Sequence, residues 1–301
     1  MTKDEKLYTE MRKNPLEYLS KYICPYLVGN EWDAIRKCTL LMLVTHKDTL
    51  TRTRLHMLLV GLPGTGKTEF MLWMQENIGG VFINADLTSK VGLVGDARGL
   101  KIKPGLLADC HGHLILCDEL DKMSNGDQSG LLQALEEGKY SIIKGSQRER
   151  FDAEVRVIAG ANEISKIQKP LIDRFDFVFN VSMSSRKERA GNVDSIIDSF
   201  LVGQNQDNIN VLNGYLDWIE KRKIDVLPQD SADIKYMISE YILRTATNIN
   251  VVSYRSLELS IMRIAYAMAK LQGTYIQRAH ISNAIYVKDI MIKNMVDQRF
   301  V

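Results

Sequence analysis

The chain has 301 residues, a formal net charge of +2, 45% apolar residues and 25% charged residues. This composition indicates a folded protein with a large core and excludes a mainly disordered chain, while the small net charge excludes nucleic-acid binding over the whole surface. The polar N-terminal residues and the short apolar runs predict neither a signal peptide nor a membrane span. Four cysteines without a framework pattern favour reduced thiols and a cytoplasmic location: Cys24, Cys38, Cys110 and Cys117.

Shifts in composition divide the chain into four predicted segments. Residues 1–50 are expected to form a helical lead-in. Residues 51–185 alternate short apolar runs, Gly-containing loops and helical stretches, a pattern that predicts an α/β fold with a parallel sheet. Residues 186–210 are polar and rich in Ser, Asn and Gly, which indicates a linker. Residues 211–301 contain long apolar-periodic stretches with few glycines and are predicted to be an α-helical subdomain.

The first predicted strand, residues 56–60, leads into a phosphate-binding motif. The sequence "GLPGTGKT" fits G-x-x-x-x-G-K-[ST], in which the glycines let backbone N–H groups approach phosphate oxygens. A helix that begins near Lys67 would add its positive N-terminal dipole. Lys67 would reach the β- and γ-phosphates of ATP, and Thr68 would hold Mg²⁺. The residues predicted to bind the nucleotide here are Gly61, Gly64, Thr65, Gly66, Lys67, Thr68 and Glu69.

A second predicted strand, residues 114–117, ends at two acids. Asp118 and Glu119 would lie at its carboxyl end, where α/β sheets place ligands. Asp118 is predicted to bind Mg²⁺, directly or through water, and Glu119 to polarise the water that attacks the γ-phosphate. The neighbouring thiols and imidazoles lack the paired spacing of a zinc site and are expected to be structural: Cys110, His111, His113 and Cys117.

Two further polar residues follow the third predicted strand. That strand, "EVRVIAGAN", ends at Asn162, whose amide could orient the attacking water or could merely end the strand. Arg174 could pair with Asp173 or Asp176. It could instead act as an arginine finger on the γ-phosphate held by a neighbouring subunit.

The stretch "KYSIIKGSQRER", residues 139–150, predicts one strand, a turn at residues 144–146 and a second strand. The second strand is expected to run on toward Asn162, which would connect the base of this hairpin to the γ-phosphate sensor.

The order of these pieces resembles that of the AAA+ ATPases, and among them the minichromosome maintenance (MCM) helicases. The segment "CDELDKMSNGDQSGLLQALEEGKYSIIKG" is similar to the family's Asp-Glu strand exit and the hairpin after it. "PLIDRFDFVF" resembles its arginine-finger turn, "SYRSLELSIMRIAYAMAK" its lid helix, and "PYLVGNEWDAIRKCTLLML" its lead into the core. The resemblance covers about residues 15–295 and implies an AAA+ P-loop core with a parallel sheet, an α-helical lid, and ATP with Mg²⁺ as cofactors.

The resemblance also implies roles for single residues. The backbone at Val28 and Gly29 would face the adenine, Asn162 would be sensor 1, and Arg174 would act in trans. Arg255, in "RSLE", would be sensor 2 on the neighbour's nucleotide. The later Arg263 lies one residue off the family's usual spacing, and one residue turns a side chain about 100° around a helix. Arg263 or Arg244 could therefore take the sensor 2 role instead of Arg255.

In the resembling family the hairpin points into the pore of a ring, and its lysine contacts DNA. Lys144 matches that lysine, whereas Arg148 and Arg150 are expected to flank the contact. A shortened insert from residue 91 onward would supply a second ring of basic residues: Arg98, Lys101 and Lys103.

The function that this resemblance implies is an ATP-driven DNA translocase or helicase that works as a homo-oligomeric ring, expected to be a hexamer. The residues before the phosphate loop are too few for the family's N-terminal DNA-binding domain, so a loader or a DNA-binding partner is expected. Two alternatives are a protein-remodelling ATPase like the MoxR and magnesium-chelatase relatives, and a nucleotide-dependent loading adaptor that turns over slowly.

Overall fold

The computed structural model describes residues 3–45, 53–86, 90–96, 101–144, 146–183, 190, 193–194, 197, 206–222, 226–228, 230–246 and 254–297. The chain forms two compact units. The first comprises Met1–Leu55 with Ser182–Val296, and the second comprises His56–Val181 with Asp297–Val301. The predicted four-segment boundaries stay a prediction.

The N-terminal part of the first unit is helical. Pro15 occupies the first turn of its second helix, where the missing N–H of proline costs no hydrogen bond. The third helix contributes Ile35, Leu40 and Leu41, all at most 2% exposed, to the core of this unit. In chain order the helices are α1 (Lys3–Met11), α2 (Pro15–Leu19) and α3 (Asn30–Val44).

The second unit alternates strands and helices. Its elements in chain order are β1 (Met57–Val60), α4 (Lys67–Asn77), β2 (Val81–Asn84), α5 (Lys90–Leu93), β3 (Gly95–Asp96), β4 (Lys103–Pro104), α6 (Leu106–Asp109), β5 (Leu114–Asp118), α7 (Asn125–Glu137), β6 (Lys139–Lys144), β7 (Gln147–Asp152), β8 (Arg156–Ala161), α8 (Lys169–Ile172) and β9 (Phe177–Asn180).

Five of these strands form one parallel sheet in the order β2-β5-β8-β1-β9. Every residue of β1, β5 and β8 is buried, as expected for parallel strands with both faces covered. These three strands are neighbours, so the segments that leave their carboxyl ends meet at one edge of the sheet. The predicted α/β class with a parallel sheet is confirmed.

The predicted hairpin is confirmed, but its continuation is not. β6 and β7 pair antiparallel, from Lys139 opposite Asp152 to Lys144 opposite Gln147. The second strand does not run on to Asn162, because it ends at Asp152 and β8 belongs to the parallel sheet. The chain turns between the two sheets at Ala153, whose N–H donates to Gly138 O at 2.7 Å and whose side chain is fully buried.

In the described residues the C-terminal part of the first unit is helical, as predicted, and its helix Gln206–Lys221 begins before the predicted start at residue 211. Most of the predicted linker, residues 186–210, lies outside the described residues. Among the helices of the described ranges, none is both long and apolar enough to cross a bilayer. The helices of this part whose bounds lie in the described ranges are α9 (Gln206–Lys221), α10 (Ser231–Ala246), α11 (Tyr254–Gln272) and α12 (Arg278–Asp297).

Candidate functional site

A cavity of about 410 Å³ lies in the second unit, where the segments after β1, β5 and β8 meet. Five of the seven phosphate-loop residues singled out from the sequence line it, together with the two acids at the carboxyl end of β5 and the amide after β8. The lining residues are Pro63, Gly64, Gly66, Lys67, Thr68, Glu69, Asp118, Glu119 and Asn162. The structure therefore brings together side chains that the sequence places on three separate strand ends.

The phosphate loop has the backbone that its glycines allow. Gly64 and Gly66 have φ angles of 81° and 98°, in the left-handed region that disfavours other residues. α4 begins at Lys67, as predicted, directly after Gly66. The positive φ angles and the helix start let backbone N–H groups point to one side, which suits an anion.

The two other loop residues predicted to bind nucleotide do not line the cavity. A Cβ on Gly61 would lie 2.2 Å from Val181 O, so this glycine is required by the close approach of the chain after β9. The Thr65 hydroxyl donates to Leu62 O at 3.0 Å and closes the loop on itself. Both residues shape the loop, and their contact with a nucleotide stays a prediction.

Lys67 is 5% exposed and carries its ammonium group beside the loop. Its Nζ donates to Gly61 O at 2.6 Å, to Leu62 O at 3.0 Å and to Asn162 Oδ1 at 3.2 Å. Burial lowers the pKa of this amine, and the charges of Asp118 and Asp121 oppose that effect. A polyanion in the cavity would act in the same direction as the two carboxylates and would stabilise the ammonium form.

Thr68 and Asp118 meet although they are 50 positions apart in the chain: the threonine Oγ1 donates to Asp118 Oδ2 at 2.6 Å. The other carboxylate oxygen, Oδ1, accepts from the N–H of Glu119 at 2.9 Å. A hydroxyl and a carboxylate are oxygen donors of the kind that Mg²⁺ prefers, and Mg²⁺ in phosphate sites takes few ligands from the protein. The donor set around the cavity thus fits a phosphate chain with Mg²⁺.

Glu119 follows β5 with φ 57°, an unusual value for a residue with a side chain and one often found at functional turns. Its Oε1 accepts from Lys122 Nζ at 2.7 Å. This hydrogen bond is the main cause that lowers the pKa of the Glu119 carboxyl, with a further hydrogen bond to Asn84, and burial acts against them. Glu119 is therefore held as a carboxylate at the wall of the cavity.

Asp121 was not singled out from the sequence, yet it connects two strand ends. Its side chain is 7% exposed, and its Oδ1 and Oδ2 accept from the N–H groups of Asn162 at 3.1 Å and Glu163 at 3.3 Å. The carboxylate thereby fixes the backbone at Asn162, whose side chain contacts Lys67. The signal in the sequence is the second aspartate of "DELDK", which the family resemblance also contains.

Arg174, in the turn after α8, has a partner that the sequence did not indicate. Its Nη2 donates to Glu136 Oε1 of α7 at 2.8 Å, instead of pairing with Asp173 or Asp176. Asp176 is 2% exposed, and its Oδ2 accepts from the N–H of His56 at 3.1 Å. Of the two alternatives for Arg174, local pairing is therefore not observed. The sequence did not indicate Glu136, because the contact spans 38 positions of the chain and leaves no local pattern.

The cysteines and histidines near β5 form no metal site. Within the described ranges no group of three or more His, Cys, Asp or Glu side chains is placed to hold a metal ion. Burial raises the pKa of the Cys110 thiol to about 11 and that of Cys117 to about 12, which disfavours the thiolate that a metal requires. The structural role of these four residues stays a prediction.

Three of the four basic residues assigned to DNA belong to two hairpins of the second unit: Lys101, Lys103 and Lys144. Lys144 ends β6, although its side chain lies outside the described residues. Lys101 and Lys103 are exposed beside the short β3–β4 pair, whereas Arg98 falls outside the described residues. The two hairpins are in contact at their bases, because Tyr140 Oη of β6 accepts from the N–H of Gly105 at 3.2 Å.

The residues assigned to adenine and to sensor 2 belong to the first unit. Val28 and Gly29 are half-buried directly before α3, and Gly29 has a φ angle of 137°. Arg255 lies in the first turn of α11, but its side chain is outside the described residues. Its alternatives, Arg244 and Arg263, lie on α10 and α11. All of these roles stay predictions.

The comparison with known proteins decides the family. A family model described as the MCM P-loop domain matches residues 4–200. The chain belongs to this family. The MCM resemblance inferred from the sequence is confirmed, and so is the P-loop fold class.

Three curated MCM relatives match most of the chain. The uncharacterized MCM-type protein MJ1489 of Methanocaldococcus jannaschii is 28% identical over 82% of this chain and 38% of its own length. The probable DNA helicase MCM9 of Oryza sativa subsp. indica is 26% identical over 90% of this chain and 45% of its own length. The minichromosome maintenance protein MCM of Saccharolobus solfataricus is 23% identical over 89% and 43%. The chain thus spans less than half the length of these relatives.

Proposed function

We propose that this chain is the ATPase core of an MCM-type DNA translocase or helicase and that it hydrolyses ATP as a homo-oligomeric ring, expected to be a hexamer. The observation that supports this most is the cavity in which Lys67, the Thr68–Asp118 pair, Glu119 and Asn162 come together. Membership of the MCM P-loop family supports nucleotide binding, and the relatives' names include DNA helicases. Each relative is more than twice as long as the matched region, so the activity of the whole protein is part of the proposal.

In this proposal the residues of the cavity divide the work of hydrolysis. Lys67 binds the β- and γ-phosphates, while Thr68 and Asp118 hold Mg²⁺. The bound ion would neutralise charge that develops on the phosphate oxygens. Glu119, kept as a carboxylate by Lys122, orients the attacking water and accepts hydrogen bonding from it. Asn162, fixed by Asp121, completes the position of that water.

The proposal assigns further residues to neighbouring subunits and to DNA. Arg174 acts on the γ-phosphate of the next subunit, and Arg255, or else Arg244 or Arg263, acts as sensor 2. Val28 and Gly29 face the adenine. DNA in the pore, single-stranded or duplex, meets Lys144 and the insert residues, and a loader or a DNA-binding protein is a further partner. The DNA-contact set is Lys144, Arg98, Lys101 and Lys103.

The test replaces the pore lysine and uses a neighbouring lysine as control. In Lys144→Ala, DNA-stimulated ATPase activity and fork unwinding should fall, whereas nucleotide binding without DNA should remain. Lys139→Ala removes the same charge from the same strand, but Lys139 is held by Asp152 at 2.9 Å and should behave as wild type. ATPase rates with and without oligonucleotides and a gel assay of unwinding measure both effects.

Two results would contradict the proposal. An ATPase rate that no DNA substrate changes would favour the protein-remodelling alternative. Slow turnover together with nucleotide-dependent recruitment of a partner protein, and no unwinding, would favour the loading adaptor.

A further inference from the structure

Helix α7 contacts the two ends of the segment from Lys166 to Arg174 through two side chains, Gln128 and Glu136. Gln128 lies in the first turns of the helix and Glu136 near its end. Neither residue lines the nucleotide cavity. Their contacts reach 38 to 40 positions along the chain, to the segment that joins Asn162 to Arg174.

Gln128 is fully buried, and its amide makes three hydrogen bonds. Its Nε2 donates to Met123 O at 3.0 Å and to Lys166 O at 3.1 Å, and its Oε1 accepts from the N–H of Gln168 at 2.8 Å. Gln168 Nε2 in turn donates to Asn125 O at 2.7 Å. A buried amide with its donors satisfied specifies one backbone arrangement, because each unmade bond would leave a buried polar group unpaired. The entry to α8 is thereby fixed to the start of α7.

Glu136 acts at the other end of this segment, on the guanidinium itself. Its Oε1 lies 2.8 Å from Arg174 Nη2, and the arginine side chain is 26% exposed. Within the described residues this is the one hydrogen bond of the Arg174 side chain, and its Nε is buried without a hydrogen-bond partner. A guanidinium has five N–H donors in a rigid plane, so one carboxylate orients the plane and leaves donors for a phosphate.

We propose that Glu136 is a positioning residue for Arg174, with Gln128 fixing the backbone at the entry to α8, the short helix that precedes Arg174. Glu136 holds the guanidinium at the angle from which it reaches the γ-phosphate of a neighbouring subunit. This inference rests on the proposed role of Arg174 in trans. α7 ends at Glu137, and the hairpin strand β6 begins after Gly138. The helix that orients the finger is therefore also the helix from which the proposed DNA hairpin extends.

The chain offers a matched control for Glu136 in the next residue. Glu137 has similar exposure and also pairs with an arginine, but its partner is Arg150 of β7, at 3.0 Å. Glu136→Gln should lower the kcat for ATP hydrolysis by about 10- to 100-fold with little change in nucleotide affinity, because a small misplacement of a reacting group costs about that much. Glu137→Gln should leave kcat close to that of wild type.

Mixing experiments separate positioning in trans from damage to the subunit's own site. Lys67→Ala subunits keep an intact finger but have a disabled site, whereas Glu136→Gln subunits keep an intact site. Their mixture should therefore show more ATPase activity per Glu136→Gln subunit than Glu136→Gln alone. Arg174→Ala mixed with Lys67→Ala gives the reference for the finger, and Gln128→Met, checked for an unchanged fold by circular dichroism, should follow the same pattern.

The outcomes of these experiments distinguish the positioning role of Glu136 from the role of Arg174 in trans. If Arg174→Ala is rescued by Lys67→Ala and Glu136→Gln is not, the positioning role is overturned and the proposed function stands. Wild-type kcat in Glu136→Gln overturns it as well. If Arg174→Ala itself is not rescued in rings that still assemble, the role of Arg174 in trans fails, and the positioning role fails with it.

Discussion

At the scale of single residues, the site depends on charged side chains that hold other groups in place. Asp121 fixes the backbone at Asn162, and Lys122 holds Glu119. Neither Asp121 nor Lys122 is proposed to touch the reacting atoms. Both follow the Asp-Glu pair within one short helical turn, Leu120–Lys122, so this turn sets the geometry of the proposed water-activating group.

The contact between Lys122 and Glu119 predicts a shift in the pH dependence of ATP hydrolysis. Glu119 must be ionised to accept hydrogen bonding from water, and Lys122 lowers the pKa of its carboxyl. In Lys122→Ala this pKa should rise toward its ordinary value, so activity should be lost at a higher pH than in wild type as the pH falls. The acid limb of the kcat profile measures the effect.

Lys166→Ala is the matched control for that experiment. Lys166 pairs with Glu163 at 2.8 Å with the same spacing of three positions, but neither residue lines the cavity. Its acid limb should coincide with that of wild type. An acid limb that stays in place in Lys122→Ala would argue against Glu119 as the group that titrates.

At the scale of elements, the sequence predicted the pieces with strong local patterns. Apolar runs and the phosphate-loop motif located β1, β5 and β8 and the start of α4, and the hairpin β6–β7 appeared with its turn in place. The break between β7 and β8 was missed, because "QRERFDAEVRV" contains no Gly or Pro to mark it. Gln128 and Glu136 were missed for another reason: their partners are 38 to 40 positions away, and helical periodicity carries no such information.

The start of α12 contains a pH-dependent contact. His280 is 3% exposed, its Nδ1 accepts from the N–H of Gln277 at 3.0 Å, and its Nε2 lies 2.9 Å from Gln272 Oε1. These contacts suit the neutral ring with its proton on Nε2. Burial lowers the pKa of His280 below 6.5, so the folded state disfavours the second proton.

The direction in which pH changes the free energy of unfolding follows from the difference in proton binding to His280 between the folded and unfolded states. Above pH 6.5 the ring is neutral in both states, and the full stability is present. As the pH falls below that value the unfolded chain binds the proton first, so the free energy of unfolding should decrease. Denaturant unfolding at pH 7.5 and at pH 5.5, read from the helical signal, measures it. In His280→Gln, the free energy of unfolding should differ less between pH 7.5 and pH 5.5 than in wild type. An equal difference in the variant would show that other groups cause the pH dependence.

At the scale of the whole molecule, charge is concentrated rather than spread. The hairpin residues 139–152 contain four basic and two acidic side chains, a net +2 that equals the net charge of all 301 residues. A ring would bring several such hairpins to one pore and would multiply the local field. The small net charge of the chain is thus compatible with DNA binding from one segment.

Replacing Arg148 tests which cations of the hairpin contact DNA. Arg148 is exposed opposite Ile143, which is 67% exposed, and within the described part of the chain it has no ion-pair or hydrogen-bond partner. Arg150 is held by Glu137. If Arg148 meets a phosphate, Arg148→Ala should reduce the salt dependence of binding to single strands by about 0.7 in log–log slope per subunit. Fluorescence anisotropy across a salt series measures it.

The comparison with Arg150→Ala decides the interpretation. That variant removes the same charge two positions away and should change the slope less, because its partner Glu137 already neutralises it. If the log–log slope of binding against salt is the same in Arg148→Ala as in wild type, Arg148 does not contact a phosphate, as the sequence predicted.

The contacts of the adjacent acids Glu136 and Glu137 restrict insertions and deletions in α7. Successive residues point about 100° apart around a helix axis, and here each acid meets an arginine from a different element. Inserting or deleting one residue between Gln128 and Glu136 would turn both acids by that angle and offer each arginine the wrong neighbour. Contacts near both ends of α7 set its helical phase, so the number of residues between Gln128 and Glu136 is fixed.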